Sequence, residues 1–414
     1  MSASQTSLLE TDPFSLDLMA DPLPYYRVLR DWAPVKYYPY YDTYFISRFE
    51  DVWEVLRISD NALIATETNL PTPEYLRAHH NDAPPPLAST NPMAPGPQLH
   101  SPYYEQMRQA HIAPLRPKNV ARIKAYVEDV VRERLDILLP RKSFDIVTDY
   151  AGMTAATVIC SLFGIPKESA GEILAYVYKI TRHDPAKGGV DLRDLFVKLK
   201  QYIVPAIEVR REAGANGDNT LIDGLIAYRT PEEGRALSDN EIADQLVCVM
   251  VGGFESVAKV TAQGLLDLYR HPDQLAEIRQ DLDANVAIAS EEMIRLGAPA
   301  QYTFRTVYKE LELRGHQIQP GQRVACLLHS AAHDEREFEN PDAFIWNRPI
   351  PRVISFGLGQ HHCIGKHLAQ LEVKTLVREF LARVDTFDFD LKDAQRNPTC
   401  FQRGWVRLPV TIRD

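Results

Sequence analysis

Residues 353–372 read V-I-S-F-G-L-G-Q-H-H-C-I-G-K-H-L-A-Q-L-E. Gly357 and Gly359 give a tight loop that no side chain crowds. Cys363 follows at the start of a predicted helix over residues 364–383. A cysteine there has backbone N–H groups near its sulfur, which lower its pKa and stabilise a thiolate. Taken alone, a single cysteine is more often a small buried hydrophobe. The neighbouring elements decide between the two.

The strongest helix upstream covers residues 239–270. Ser238 and Glu241 have the form of a capping box, and Pro272 follows the far end. Its middle, residues 246–254, is apolar on every side, so the helix is expected to cross the molecule's centre. Gly252 and Gly253 sit inside it, each costing about 1 kcal/mol relative to Ala. Glu255 and Ser256 come next, where a carboxylate needs a partner or a proton. Two glycines clear one stripe for something flat, and the acid and hydroxyl could hold water beside it. A packing notch with a solvent-facing Glu is the alternative. Glu292 and Arg295 share a helix face at i, i+3. Residues 71–102 hold nine of the 29 prolines, a stretch unsuited to regular helix or central strand. A loop this long is either functional or a mobile surface segment.

The remainder reads as mainly α with small β-sheets in one domain, residues 1–414. A helix is expected over 119–139, and strands near 35–47, 312–328 and 399–410. The 414 residues are 45% hydrophobic and 25% charged, with net charge −10. That profile is globular, and it argues against a nucleic-acid partner. The apolar run at 246–254 is far short of the roughly 20 residues that span a bilayer. Residues 1–13 lack a basic and an apolar segment, so no secretory signal is expected. The five cysteines are odd in number and lack C-x-x-C spacing, which disfavours disulfides and a Cys-based zinc site. The expected compartment is the cytoplasm.

A thiolate at a helix start can be an axial ligand to haem iron. Residues 353–372 resemble the haem-binding loop of the cytochrome P-450 superfamily. The bacterial form F-G-x-G-x-H-x-C-x-G-x-x-L-A-x-x-E is matched by Phe356, Gly357, Gly359, His361, Cys363, Gly365, Leu368, Ala369 and Glu372. V-G-G-F-E-S resembles the family's oxygen-activation motif, and E-M-I-R its E-x-x-R motif. Phe344 and Arg348 resemble the meander, whose arginine joins Glu292 and Arg295 in a structural triad. Tyr104 and Arg108 align with an H-x-x-x-R whose residues contact a haem propionate. Arg305 and His361 align with further propionate donors. The landmarks run from about residue 12 to the C-terminus. Three positions depart from the pattern: Tyr104 replaces His, Val353 replaces a frequent His, and Ser256 replaces the commoner Thr.

The resemblance implies a cytochrome P-450 fold with the long helix 239–270 crossing the haem. It implies haem b with Cys363 as the iron's axial thiolate, shielded by Phe356. Tyr104, Arg108, Arg305 and His361 would hold propionates, with Gly357 and Gly365 shaping the loop. Gly252 and Gly253 would leave room for O2, and Glu255 and Ser256 would organise water for proton delivery. The implied activity inserts one oxygen atom of O2 into a small hydrophobic or aromatic substrate by hydroxylation or O-dealkylation. The substrate side would be the Pro-rich loop, 71–103, with Phe254, Ala298, Ala300, Tyr302 and Phe401. Electrons would come from a separate ferredoxin and its reductase, docking on Arg108, Arg116, Lys118, Arg122, Lys124 and Lys366. The alternatives are a peroxide-dependent enzyme of the same fold, or a non-catalytic haem sensor.

Overall fold

The computed structural model describes residues 2–58, 62–64, 71–80, 82, 101, 103–182, 192–214, 220–231, 233–397, 399 and 401–413. Helices dominate them, beside four small sheets. The 32-residue helix Asp239–Arg270 has the bounds read from the sequence. Ser238 Oγ accepts from the Glu241 N–H at 3.3 Å, and Glu241 accepts from the Ser238 N–H at 2.8 Å. The Arg235 guanidinium, bonded to Glu241, holds that carboxyl down at about 2.

Two hydrophobic clusters meet along this helix. Leu246, Met250 and Phe254 pack among Ile159, Phe163 and Ile203. Val257, Ala258 and Leu265 pack among Val373, Leu376 and Phe380. Burying a Val or Leu side chain contributes about 1.5–3 kcal/mol, so this packing outweighs the helix cost of Gly252 and Gly253. Among the described helices, Asp239–Arg270 alone is long and apolar enough to cross a membrane, but 67% of its apolar window lies in the protein's own interior.

The larger sheet runs Val35–Tyr38, Thr43–Ile46, Arg323–Cys326, Thr303–Val307, Leu63–Ile64. Thr43–Ile46 pairs in parallel with Arg323–Cys326, and its other pairings are antiparallel. A three-stranded sheet joins Ser143–Asp145, Pro409–Arg413 and Thr386–Phe389. Strands thus form in all three patches that the β-favouring residues marked.

Three expectations change in detail. The helix over 119–139 is two helices, Pro117–Arg122 and Lys124–Leu138, because the Ile123 backbone leaves the helical region at ψ 6. The helix after Cys363 begins at Lys366, since residues up to Gly365 turn around the sulfur. The proline-rich stretch does contain a short helix, Pro73–Ala78. Pro73 sits in its first turn, where no N–H is needed, and Thr72 Oγ1 accepts from the Tyr75 N–H at 3.1 Å. Residues 83–100, most of the expected substrate-side loop, lie outside the described residues.

Candidate active site

The loop before Lys366–Arg383 is built around Cys363. Its N–H donates to Phe356 O at 2.9 Å, closing the turn. Gly359 has φ +72, and a Cβ there would lie 2.1 Å from Leu56 O, so only glycine fits. The backbone N–H groups of Gly365 and Lys366 point at the sulfur. Burial pushes the thiol up from its usual value, while those N–H groups and Arg108 pull it down. The sulfur is walled by protein yet exposed toward a cleft, and that open side is what a ligand meets.

Tyr104, Arg108, His361 and Cys363 line this cleft together. The rings of Tyr104 and His361 stack at 4.0 Å, and Arg108 Nη1 donates to the Tyr104 hydroxyl at 2.8 Å. Met107, His111, Gln245, Cys248 and His362 also line it, and none was singled out in the sequence. Burial lowers His111 and His362 to about 4, so both rings are neutral near pH 7. Gln245, Cys248, Gly252 and Ser256 fall at helical spacing on one stripe of Asp239–Arg270. That periodicity was the available signal for Gln245 and Cys248.

The two glycines do different jobs. A Cβ on Gly252 would meet nothing within 4 Å, so this position is open space. A Cβ on Gly253 would sit 2.8 Å from Ile159 Cδ1, which makes Gly253 a packing notch. Ser256 Oγ donates to Gly252 O at 2.6 Å. Glu255 is buried with both oxygens engaged. Arg182 Nε donates to Oε1 at 2.8 Å and Lys259 Nζ to Oε2 at 3.0 Å. Lys259 also donates to Gln402 Oε1 at 2.5 Å, and burial lowers its ammonium to about 8. The spacing of Glu255 and Lys259 was legible on a helix; the 73-residue separation from Arg182 was not.

Glu292 receives Arg295 Nε at 2.7 Å and Nη2 at 2.8 Å, and Arg348 Nε at 2.9 Å. All three residues are buried. Arg348 also donates to the carbonyls of Glu339, Asn340 and Ala343. The triad fixes the segment preceding the Cys363 loop and lines no part of the cleft.

The expected substrate-side residues lie elsewhere than in this cleft. Phe254 is wholly buried in the helical core, because the helix turns that face toward Ile159 and its neighbours. Tyr302 is 2% exposed and packs against Phe14, Phe304 and Phe401 in an aromatic cluster. Ala300 bridges Gln402, and Ala298 opens onto a second cavity.

A family model described as Cytochrome P450 matches residues 102–413. The chain belongs to the cytochrome P450 family. The Putative cytochrome P450 123 of Mycobacterium tuberculosis (strain ATCC 25618 / H37Rv) is 28% identical over 412 residues, covering 98% of this chain and 97% of that one. Polyketide biosynthesis cytochrome P450 PksS of Bacillus subtilis (strain 168) is 26% identical over 376 residues, 90% of this chain and 89% of that one. The solved structure of CalO2 superposes with TM-score 0.81 at 25% identity, covering 97% and 98% of the two chains. This P450 has the family's fold and is a monooxygenase.

P450 enzymes carry haem with a cysteine thiolate on iron, and this P450's residues fit that group. Arg305 is 8% exposed; among the described residues its side chain ion-pairs with no carboxylate and bonds only Thr303 Oγ1 at 3.2 Å and Phe304 O at 2.7 Å. Burial lowers its pKa. An arginine so placed needs an anion, and a haem propionate would supply one. Arg108 likewise ion-pairs with no described carboxylate. Cys363 and Cys248 both line the cleft with Arg108, and of the two only Cys363 has backbone N–H groups that lower its thiol's pKa; burial pushes Cys248 up to about 11.

Proposed function

We propose that this P450 binds haem b through Cys363 and oxidises a small hydrophobic substrate with electrons from a ferredoxin. The observation that carries the reading is the Cys363 sulfur, which faces the cleft with two backbone N–H groups behind it and the Arg108 guanidinium beside it. Haem, when bound, supplies the O2 and one-electron chemistry. Tyr104, Arg108, Arg305 and His361 hold its propionates. The N–H groups of Gly365 and Lys366 take up negative charge from the sulfur, and Phe356 covers the loop.

Gly252 leaves the distal stripe of the central helix open. Ser256 keeps its hydroxyl on that stripe through its bond to Gly252 O, and its oxygen can accept from a water there. Glu255 is the acid nearest in the chain, held between Arg182 and Lys259. Proton delivery through it requires one of those cations to let go. This clamp favours a second reading, in which peroxide alone supports turnover. Product formation with a ferredoxin system, compared with peroxide alone, separates the two. Turnover with peroxide only ends the preferred reading.

Arg116, Lys118 and Arg122 are exposed and ion-pair with no described carboxylate. On a chain of net charge −10 they form a local positive face that can steer an acidic ferredoxin. Charge reversal at Lys118 and Arg122 is expected to slow ferredoxin-driven turnover and spare peroxide-driven turnover. Equal loss in both assays would remove the docking role. The substrate class is read from a spectral screen of small aromatics, terpenoids and fatty acids. A cytoplasmic setting accords with the free thiols of the four described cysteines.

A further inference from the structure

A second cavity, of about 310 Å3, lies where the C-terminal turn of Asp239–Arg270 meets the end of helix Leu282–Gly297 and the strands Gln395–Arg396 and Trp405–Arg407. It shares no lining residue with the cleft at Cys363. Arg270, Arg396 and Arg403 all line it, and none ion-pairs with a carboxylate among the described residues. Arg270 and Arg396 are exposed and Arg403 is half-buried, and Asp267 and Asp342 line the same cavity without bonding any of the three among the described residues, which leaves guanidinium N–H groups for an anion.

The histidines of the cavity sharpen its chemistry. Arg403 Nη1 lies 2.5 Å from His329 Nε2. A guanidinium only donates, so Nε2 accepts and the ring proton sits on Nδ1. His333 Nδ1 lies 2.8 Å from Asp342 Oδ1. A carboxylate only accepts, so here Nδ1 carries the proton and Nε2 keeps a lone pair. Burial lowers the pKa of both rings, which keeps them neutral. His329 and His333 are 2% and 3% exposed. Yet His329 Nδ1, His333 Nε2 and Arg403 Nε are all buried without a hydrogen-bond partner among the described residues. Orphaned groups of this kind call for a ligand or ordered water.

The cavity therefore offers N–H donors and also acceptors. Arg403 Nε and His329 Nδ1 donate, and the other guanidinium groups stand ready to. His333 Nε2 accepts, and Asp267 adds a carboxyl whose Oδ1 already takes Gln263 Nε2 at 2.8 Å. An anion that bears its own proton satisfies both kinds at once. We propose that this cavity is a binding site for hydrogen phosphate, free or as the head of a phosphomonoester. The phosphate oxygens take the arginine and His329 protons, and the phosphate O–H donates to His333 Nε2 or Asp267. Sulfate matches the donors but has no proton near pH 7, so it leaves the acceptors facing bare oxygens.

Titration calorimetry of the holoprotein with inorganic phosphate, methyl phosphate and sulfate at pH 7 tests the site. Saturable phosphate binding is expected, at least about tenfold tighter than sulfate, the discrimination one unpaired buried acceptor provides. Tighter binding of methyl phosphate than of inorganic phosphate would support the site and name the ester as its source. Arg403→Gln is expected to weaken both anions. His333→Phe is expected to erase the preference for phosphate over sulfate. Arg396→Gln, at a more exposed strand position, tests the same charge with less risk to folding. Unchanged haem absorption and melting temperature serve as the folding control. No saturable binding, equal affinity for the two anions, or undiminished binding in both arginine variants would overturn the proposal.

Discussion

Lys259 Nζ donates to Glu255 Oε2 at 3.0 Å, one helical turn away, and neither side chain touches solvent. The second cation on Glu255, Arg182, comes from beyond the helix at 2.8 Å. Removing one partner of a buried ion pair costs about 3–5 kcal/mol, because a charge is left behind. Lys259→Met is therefore expected to lower unfolding free energy by about 3 kcal/mol in urea titrations near neutral pH. Lys259's folded pKa of about 8 lies below its ordinary 10.5, so its charged form is disfavoured on folding. The unfolded chain then binds more protons between those values, and this residue's contribution to stability grows as pH rises from 8 toward 10.5. The gap between wild type and Lys259→Met is expected to widen over that window. A constant gap would contradict the buried lysine.

The central glycines should respond oppositely to alanine. Gly252→Ala adds a methyl to open space and gains about 1 kcal/mol of helix propensity. Gly253→Ala gains the same but drives a Cβ against Ile159, and overpacking costs about 1–3 kcal/mol. Urea unfolding of the haem-stripped protein is expected to show Gly252→Ala stabilised and Gly253→Ala unchanged or destabilised. Imidazole affinity of the holoprotein is expected to fall for Gly252→Ala.

Some of this arrangement could be read in the sequence and some could not. The ends of Asp239–Arg270 are set by local groups, Ser238, Glu241 and Pro272, so they were legible. So was the Cys363 loop, whose donors and glycines lie within ten residues of the sulfur. The burial of Phe254 followed from the all-round apolar stretch 246–254, but its absence from the cleft did not, and neither did the burial of Tyr302, because an aromatic residue reads alike in a core and in a pocket. Arg182 was equally hidden: its partners, Glu255 and Val406 O, are brought to it only by the folded chain.

Glu292 holds two buried arginines. Glu292→Gln keeps the shape but leaves Arg295 and Arg348 without a counter-charge. A loss of about 3–5 kcal/mol and a large fall in haem content are expected. Melting temperature and the haem-to-protein absorbance ratio check it. Full haem loading would show that the triad does not hold the Cys363 side.

Asp267 gives a pH signature. Burial raises its folded pKa to about 6 from 3.8. The folded state then holds its proton longer, so the stability this group contributes is present below pH 3.8 and lost as pH rises through 6. Two units correspond to about 3 kcal/mol. Asp267→Asn is expected to be more stable than wild type at pH 7, with the advantage vanishing near pH 4. Urea midpoints at those pH values decide.

The most direct test of the account is carbon monoxide binding to the dithionite-reduced holoprotein, for wild type and Cys363→His. Wild type is expected to show the absorption band of a thiolate-ligated haem carbonyl, and the variant the band of an imidazole-ligated one. An imidazole-type band in freshly purified wild type, or a thiolate-type band surviving in Cys363→His, would contradict the assignment of Cys363 to iron.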